Sequence, residues 1–513
     1  MTSRLAIAAT SELAAQAGAH VADAGGNAVD AAIAAILVSI NTEPGICSIA
    51  CGGYVTIWPP GGAPITLDGY VTAPGLGSTL PASERNSWDV HMLYGGGVTT
   101  TIGPDSVGVP GGVALFGLAS RGYGNIPWRV LLEPAVAATR AGFPLPAASL
   151  HYLEHSAEPI FGQTADGRAA LYHEDGRLKR IGETIRVPHL AETLERIGRN
   201  GPDEFYTGDI GRAIAEHMHD NGGRLNATDL ANYTVERRPS LIIDSGSASR
   251  AWQIATNPPP AVGGIVLAAM LKMANRTTID RWDAQAVKTI VDIQRIALGY
   301  RRERLDLTDD IDGDAERLLE LAATCDAASA LQSGSTCHAS AIDDSGLACA
   351  VTVSSGYSSG DMPDGTGIWL NNCLGEIELN KRGLDIGPPG TRLPSNMAPT
   401  AARAADGTTL AIGSPGADRI TTAILQALVG YLQIGLPLDE AVRLPRAHVE
   451  FADEGVRVAC EPGLPVDAID IPQRHFDALS MYFGGVSGAA WSPEDGFTVA
   501  ADPRRTGGTW FHS

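Results

Sequence analysis

Gly334-Ser335-Thr336-Cys337-His338-Ala339-Ser340-Ala341-Ile342-Asp343 is the stretch that decides how this chain is read. Small residues lead into Thr336, Asp343-Asp344-Ser345-Gly346 reads as a turn, and Ala348 to Val353 alternates like a second strand. The pattern predicts a hairpin with a threonine at the mouth of its first strand. An internal threonine is a poor nucleophile. If the Ser335–Thr336 peptide bond is cut, the freed α-amine becomes a general base on the same residue as the hydroxyl it must activate.

The flanking sequence favours a cut there. Residues 305–335 are acidic and rich in Ala and Ser, ending in Gln332-Ser333-Gly334-Ser335, a composition that predicts an exposed linker. Upstream, Ser11 to Gly18 opens a helix that Gly25-Gly26-Asn27 stops, and Ala28 to Ile40 reads as a second, nearly apolar and therefore buried helix. Cys51 to Trp58 and Ile65 to Asp68 alternate like strands around a Pro-Pro-Gly-Gly turn, and residues 110–300 read as mainly helical. After Thr336 come strands, a helix from Arg419 to Leu432, and strands again from about Ala447. Strands flanked by helices at both ends predict sheets covered by helical layers.

Composition narrows the function. A chain of 513 residues, 44% hydrophobic and 19% charged, suits a large globular core of one big domain or two to four smaller ones. Its net charge of -21 repels nucleic acid and anionic membranes, so neither is expected as a partner. The N-terminus has too short an apolar run for a signal peptide, and the run Ala28 to Ile40 is interrupted by Asp30 and too short to span a bilayer. Seven cysteines without a CxxC pair predict reduced thiols and a cytoplasmic setting.

Seven motifs in register resemble the γ-glutamyltransferase (γ-glutamyltranspeptidase) family. They are Gly25-Gly26-Asn27-Ala28-Val29-Asp30-Ala31, Val109-Pro110-Gly111, Tyr123-Gly124-Asn125-Ile126-Pro127-Trp128, Pro258-Pro259-Pro260-Ala261-Val262-Gly263-Gly264, Thr336-Cys337-His338, Gly365 to Asn372, and Gly413-Ser414-Pro415-Gly416. The resemblance implies an α+β, N-terminal-nucleophile hydrolase fold, an αββα sandwich. It also implies self-cleavage at Ser335–Thr336 of a zymogen into a heterodimer of residues 1–335 and 336–513. Thr336 would be the nucleophile, Thr352 the hydroxyl supporting it, and Gly416 and Ala417 the backbone N–H donors to the oxyanion. Alanine keeps the N–H, and the hole survives the change from the family's glycine if φ at Ala417 is not positive. Ser395 and Asn396 stand where the family has a substrate-contacting serine pair. No metal or organic cofactor is implied, and the partner is a small-molecule substrate.

The substrate-reading positions depart from the family. Tyr70 stands where an arginine clamps the glutamyl α-carboxylate, and a phenol cannot replace a charged guanidinium fork. Cys373 replaces a glutamine, Glu376 an aspartate that pairs with the substrate amine, and Ser354 an asparagine. The expectation is therefore a self-processing hydrolase or acyltransferase acting on a non-glutamyl substrate. One alternative is a carbon–carbon bond hydrolase that releases oxalate, like family members making 4-alkyl-proline precursors in antibiotic biosynthesis. The other is an unprocessed, non-catalytic binding homologue.

Other features read as structural. His151-Tyr152-Leu153-Glu154-His155 matches an HxxEH zinc pattern but announces no third ligand. His338 shares a strand face with Thr336 and reads as a satisfied structural histidine. Cys337 reads as a small buried residue. The glycine pairs lack the lysine and spacing of a phosphate loop.

Overall fold

The hairpin expected around Thr336 forms: Cys337–Asp343 pairs antiparallel with Ala348–Ser354, placing His338 opposite Thr352. The computed structural model describes residues 4–94, 97–247, 250–323, 336–377, 379–452 and 455–512. The hairpin lies at the centre of a seven-stranded sheet with the order Gly508–Phe511, Leu5–Ala9, Cys337–Asp343, Ala348–Ser354, Gly52–Trp58, Ile65–Gly69, Glu236–Pro239. A six-stranded sheet lies against it, ordered Gly496–Ala501, Ser487–Ser492, Thr409–Gly413, Thr400–Ala404, Arg250–Thr256, Leu241–Ser247. Every neighbouring pair in both sheets is antiparallel.

The layer between the sheets is made of small side chains. Ala6, Ala255, Ala348, Ala350, Ala401, Ala411 and Ala489 pack there with Trp58 and Ile342. Alternation along each strand sends the larger residues outward, where helices cover them. One outer layer holds Glu12–Asp23, Ala28–Thr42, Gly112–Tyr123 and Trp128–Ala141; the other holds Val262–Ala274, Ala284–Tyr300 and Ile420–Leu428. The result is the expected αββα sandwich.

The helix predicted from Ala28 is buried along its whole length, Ala28–Thr42. It starts with a capping box: Asn27 accepts from the Val29 and Asp30 N–H groups while Asp30 accepts from the Asn27 N–H. One reading needs correction. Part of the stretch expected as linker is folded: Ile311–Leu321 is a helix with Asp314, Ala315 and Leu318 buried, capped by Asp310. Its charged residues are its solvent face, and composition alone mistook that face for a linker. The region 110–300 is mainly helical, as expected, and also supplies Glu236–Pro239, Leu241–Ser247 and Arg250–Thr256, so the chain passes from one sheet to the other around Ser240. No helix among the described residues is long and apolar enough to cross a membrane.

Candidate active site

Thr336 heads the third strand of the larger sheet and is 2% exposed. Extending the register that pairs Cys337 with Val353 places Thr336 opposite Ser354, which pairs in turn with Gly52. Tyr70 follows the end of Ile65–Gly69, so it lies at this same end of the sheet. Ser335, and with it the bond expected to be cut, lies outside the described residues.

Behind Thr336 runs a polar chain. His338 Nδ1 is 2.8 Å from Thr352 Oγ1, and His338 Nε2 is 2.7 Å from Ser340 Oγ. The Ser340 hydroxyl donates to the Ser487 carbonyl across the sandwich at 3.3 Å. Ser340 therefore accepts from Nε2–H, which leaves Nδ1 as the acceptor of the Thr352 hydroxyl proton. The ring is fully buried, and desolvation pushes its pKa down to about 3, so it stays neutral. Gly413 gives the ring its space: a Cβ there would lie 2.3 Å from His338 Cε1. His338 is thus the satisfied histidine the sequence predicts, and its partner is Thr352. The Ser340 contact was legible in the sequence as an i, i+2 neighbour on one strand face, whereas Ser487 gave no local signal.

Gly413, packed on His338, leads into the segment Ser414–Ala417, which packs on Gly484 and Gly485. Gly416 has φ +129 and packs against Gly484, whose Cα a Cβ on Gly416 would approach to 2.7 Å. Ala417 has φ +50. The condition set for an undisturbed oxyanion loop is not met: the alanine adopts a left-handed backbone, with its N–H retained and its Cβ as the cost. Asn396 donates to the Ala417 carbonyl, so its amide braces this loop. Ser395 Oγ accepts from the Met397 N–H at 3.2 Å.

Tyr70, Cys373 and Glu376 come together as a second group. The Tyr70 ring is buried and stacks on Tyr54 with centroids 5.7 Å apart. Burial first, then the neighbouring Cys373 and Glu376, pushes its phenol well up; burial and Glu376 do the same to the Cys373 thiol. The Glu376 carboxylate lies against Gly356, whose N–H bonds Ser354 Oγ at 3.1 Å. Arg392 binds the backbone of this corner, donating to the Tyr70 carbonyl at 2.6 Å and to the Thr234 carbonyl at 3.0 Å. Asn371 ties it to the larger sheet's end, donating to the Ala50 and Gly108 carbonyls at 3.1 and 3.0 Å. A cavity of about 330 Å³ opens beside Arg392 and Pro394, and another of about 280 Å³ beside Arg301 and Asp418; Thr336 lines neither.

His151 and His155 sit on the helix Ala147–Ser156 with ring centroids 6.2 Å apart, both packed around Tyr94. No group of three or more potential metal ligands occurs among the described residues. Cys337 is buried in the core beneath the larger sheet, beside Cys47.

The family model described as Gamma-glutamyltranspeptidase matches residues 14–511. The chain belongs to the gamma-glutamyltranspeptidase family. Glutathione hydrolase proenzyme of Escherichia coli (strain K12) is 29% identical to it, the alignment covering 97% of this chain and 90% of that protein. Acylase ACY 1 proenzyme of Pseudomonas sp. (strain SE83) is 28% identical, with 96% and 91% covered. The solved cephalosporin acylase from Bacillus halodurans superposes with a TM-score of 0.81 over 99% of this chain and 96% of that one, at 21% identity. That likeness shows the shared sandwich fold. Both of these relatives are named as proenzymes, one a glutathione hydrolase and the other an acylase.

Proposed function

We propose that this family member cleaves itself at Ser335–Thr336 and then uses Thr336 as the nucleophile of a hydrolase or acyltransferase for a non-glutamyl acyl substrate. The observation that carries this is the position of Thr336 at the head of a strand in the middle of the larger sheet, two residues before His338, which pairs with Thr352 and packs on Gly413. Thr336 Oγ attacks the substrate carbonyl, its α-amine takes the hydroxyl proton, and the oxyanion is received by the N–H of Gly416 and by that of Ala417, which the alanine keeps at the cost of a left-handed backbone. The α-ammonium returns the proton to the leaving group, and water or an acceptor amine resolves the acyl-enzyme. The non-glutamyl part rests on Tyr70, whose stacked, buried phenol supplies no cation to a glutamyl carboxylate. A relative named as an acylase at 28% identity favours acyl transfer over carbon–carbon cleavage.

Intact mass of the purified protein beside Thr336→Ala tests the reading. Division of the 53.4 kDa chain at residue 335 gives fragments of roughly 35 and 18 kDa, with Thr336 as the new N-terminus of the smaller one, and no division in the variant. One uncut chain in both samples sinks the nucleophile assignment. For a cleaved enzyme, amine release from non-glutamyl amides is the expected product signal; oxalate release in its place would convert the reading to the carbon–carbon hydrolase.

A further inference from the structure

Behind the strand headed by Thr336 lies a cluster of thiols that the proposed chemistry does not use. The six described cysteines are free and buried. Three of them, Cys47, Cys51 and Cys337, meet on the helix-covered side of the larger sheet. Alternation along the strand sends the Cys337 side chain to that side. His338 and Ser340 occupy alternate positions, and the Ser340 hydroxyl reaches the other sheet at Ser487. By the same alternation Thr336 and Cys337 face opposite ways. Cys47 follows the buried helix Ala28–Thr42, in a turn held by Ser48 Oγ, which donates to the Trp369 carbonyl at 2.6 Å. The Cys337 thiol is in hydrogen-bond contact with the Cys47 sulfur. Cys51 also touches Cys47, but its sulfur packs on Gly112, where a Cβ would lie 2.6 Å from it.

Cys47 is the member of the cluster that reaches solvent, at 7% exposed against none for the other two. With Pro44, Leu190, Ile368 and Trp369 it lines a narrow cleft of about 20 Å³, room for one water-sized molecule. Burial alone would raise its thiol, but hydrogen bonds from Cys337, Cys51 and Ser355 outweigh burial and hold it well below the ordinary thiol value. The bond to Cys47, with burial, pushes Cys337 well up, and the two charges acting on it, Glu43 and Arg505, oppose each other in sign. The cluster therefore pairs one reactive thiolate with one protonated thiol held against it.

We propose that Cys47 and Cys337 are a site of reversible oxidation, which hydrogen peroxide entering by the cleft closes into a disulfide. The Cys47 thiolate attacks one peroxide oxygen and the O–O bond breaks. Cys47 becomes a sulfenic acid, and the other oxygen leaves as hydroxide, which takes up the proton Cys47 had released. The Cys337 sulfur then attacks the sulfenic sulfur: the S–S bond forms, the S–O bond breaks, and the hydroxyl leaves as water with the Cys337 proton. The thiols lose two electrons, peroxide gains them, and two waters form. The bond ties residue 47 to the second residue of the 336–513 fragment on the strand face away from Thr336, stapling the fragments without capping the threonine.

The test treats the purified full protein, freed of reductant, with hydrogen peroxide, unfolds it in iodoacetamide and maps its peptides without reduction. A peptide pair joined through Cys47 and Cys337 should be the principal disulfide, released by dithiothreitol. Cys47→Ser should abolish it, and Cys337→Ser should leave a sulfenic acid at Cys47 that dimedone traps; the wild-type map decides should either variant fail to fold. Glutathione disulfide, too large for the cleft, should form the bond at least about tenfold more slowly than peroxide at equal concentration. The proposal is overturned if Cys47 and Cys337 are both recovered alkylated, if Cys47 pairs with Cys51 or Cys325 instead, or if glutathione disulfide matches peroxide. Self-cleavage is read separately, on the reduced sample, so an uncut chain and a missing bond are distinct results.

Discussion

The Thr352 hydroxyl is committed as a donor to His338 Nδ1 at 2.8 Å, because the far side of the ring is already spent on Ser340. Its oxygen lone pairs are thereby left to accept from the end of the neighbouring strand, where Thr336 stands. In the proposed mechanism, a hydroxyl polarised this way draws proton density from Thr336 before cleavage, when no free α-amine exists. Thr352→Ser should preserve the arrangement, whereas Thr352→Val should slow the appearance of the two fragments by about 10²-fold. A pulse-chase of freshly synthesised chain followed by intact mass measures the rate. Equal rates in the Val variant and wild type would remove Thr352 from the chemistry.

Two buried imidazoles make stability depend on pH. Desolvation pushes both His338 and His448 down to about 3, from an unfolded value near 6.5. Above pH 6.5 both states are neutral and nothing is lost. As the pH falls below it, the unfolded chain takes up protons that the folded one refuses, so stability declines. At pH 5.5 each histidine should cost about 1.4 kcal/mol relative to pH 7.5. Asp30, Glu43 and Asp343, raised by burial, act in the opposite sense at lower pH. Urea unfolding of Thr336→Ala, which the proposed mechanism keeps as one chain, measures the sum. His448→Gln in that background should lose about half of the decline.

Much of this fold was legible because its signals are local. The Ala28–Thr42 helix announces itself by a capping box and an uninterrupted apolar run, and the hairpin at Thr336 by alternation about a turn. The strand Glu236–Pro239 was not legible, because a half-exposed edge of Glu, Arg and Pro carries no period-two pattern. Site residues could be placed by position, but their partners could not. His338 meets Ser340 two residues on, while Ser487 and Arg392 reach the site through long-range topology alone.

Ala417, at φ +50, keeps a backbone that glycine adopts without penalty. A left-handed alanine costs about 1–2 kcal/mol, and glycine returns part of the gain through the extra freedom of the unfolded chain. Ala417→Gly should therefore stabilise the uncut Thr336→Ala chain by about 0.5–1 kcal/mol, read as a higher urea midpoint at unchanged slope. The Asn396 bond to the residue-417 carbonyl does not depend on the side chain and should persist. A destabilised variant would mean that the alanine methyl contributes packing that outweighs the backbone strain.

Restoring an arginine at position 70 should not restore a glutamyl enzyme. The Tyr70 ring lies flat on Tyr54 and against Cys373 within the core, and Arg392 already takes the backbone carbonyl of residue 70. Tyr70→Arg removes an aromatic stack and buries a charge, with Glu376 the nearby carboxylate able to answer it. A guanidinium drawn to Glu376 is withdrawn from any substrate, and one that finds no partner destabilises the chain by about 3 kcal/mol. Both routes give the same functional result, so hydrolysis of γ-glutamyl-p-nitroanilide by the variant should stay at the level of the Thr336→Ala control. Urea unfolding run beside the assay separates the routes, a lowered midpoint marking the unpaired charge. Glutamyl turnover gained at undiminished stability would show that position 70 faces the substrate rather than the core, and would return the clamp to its family position.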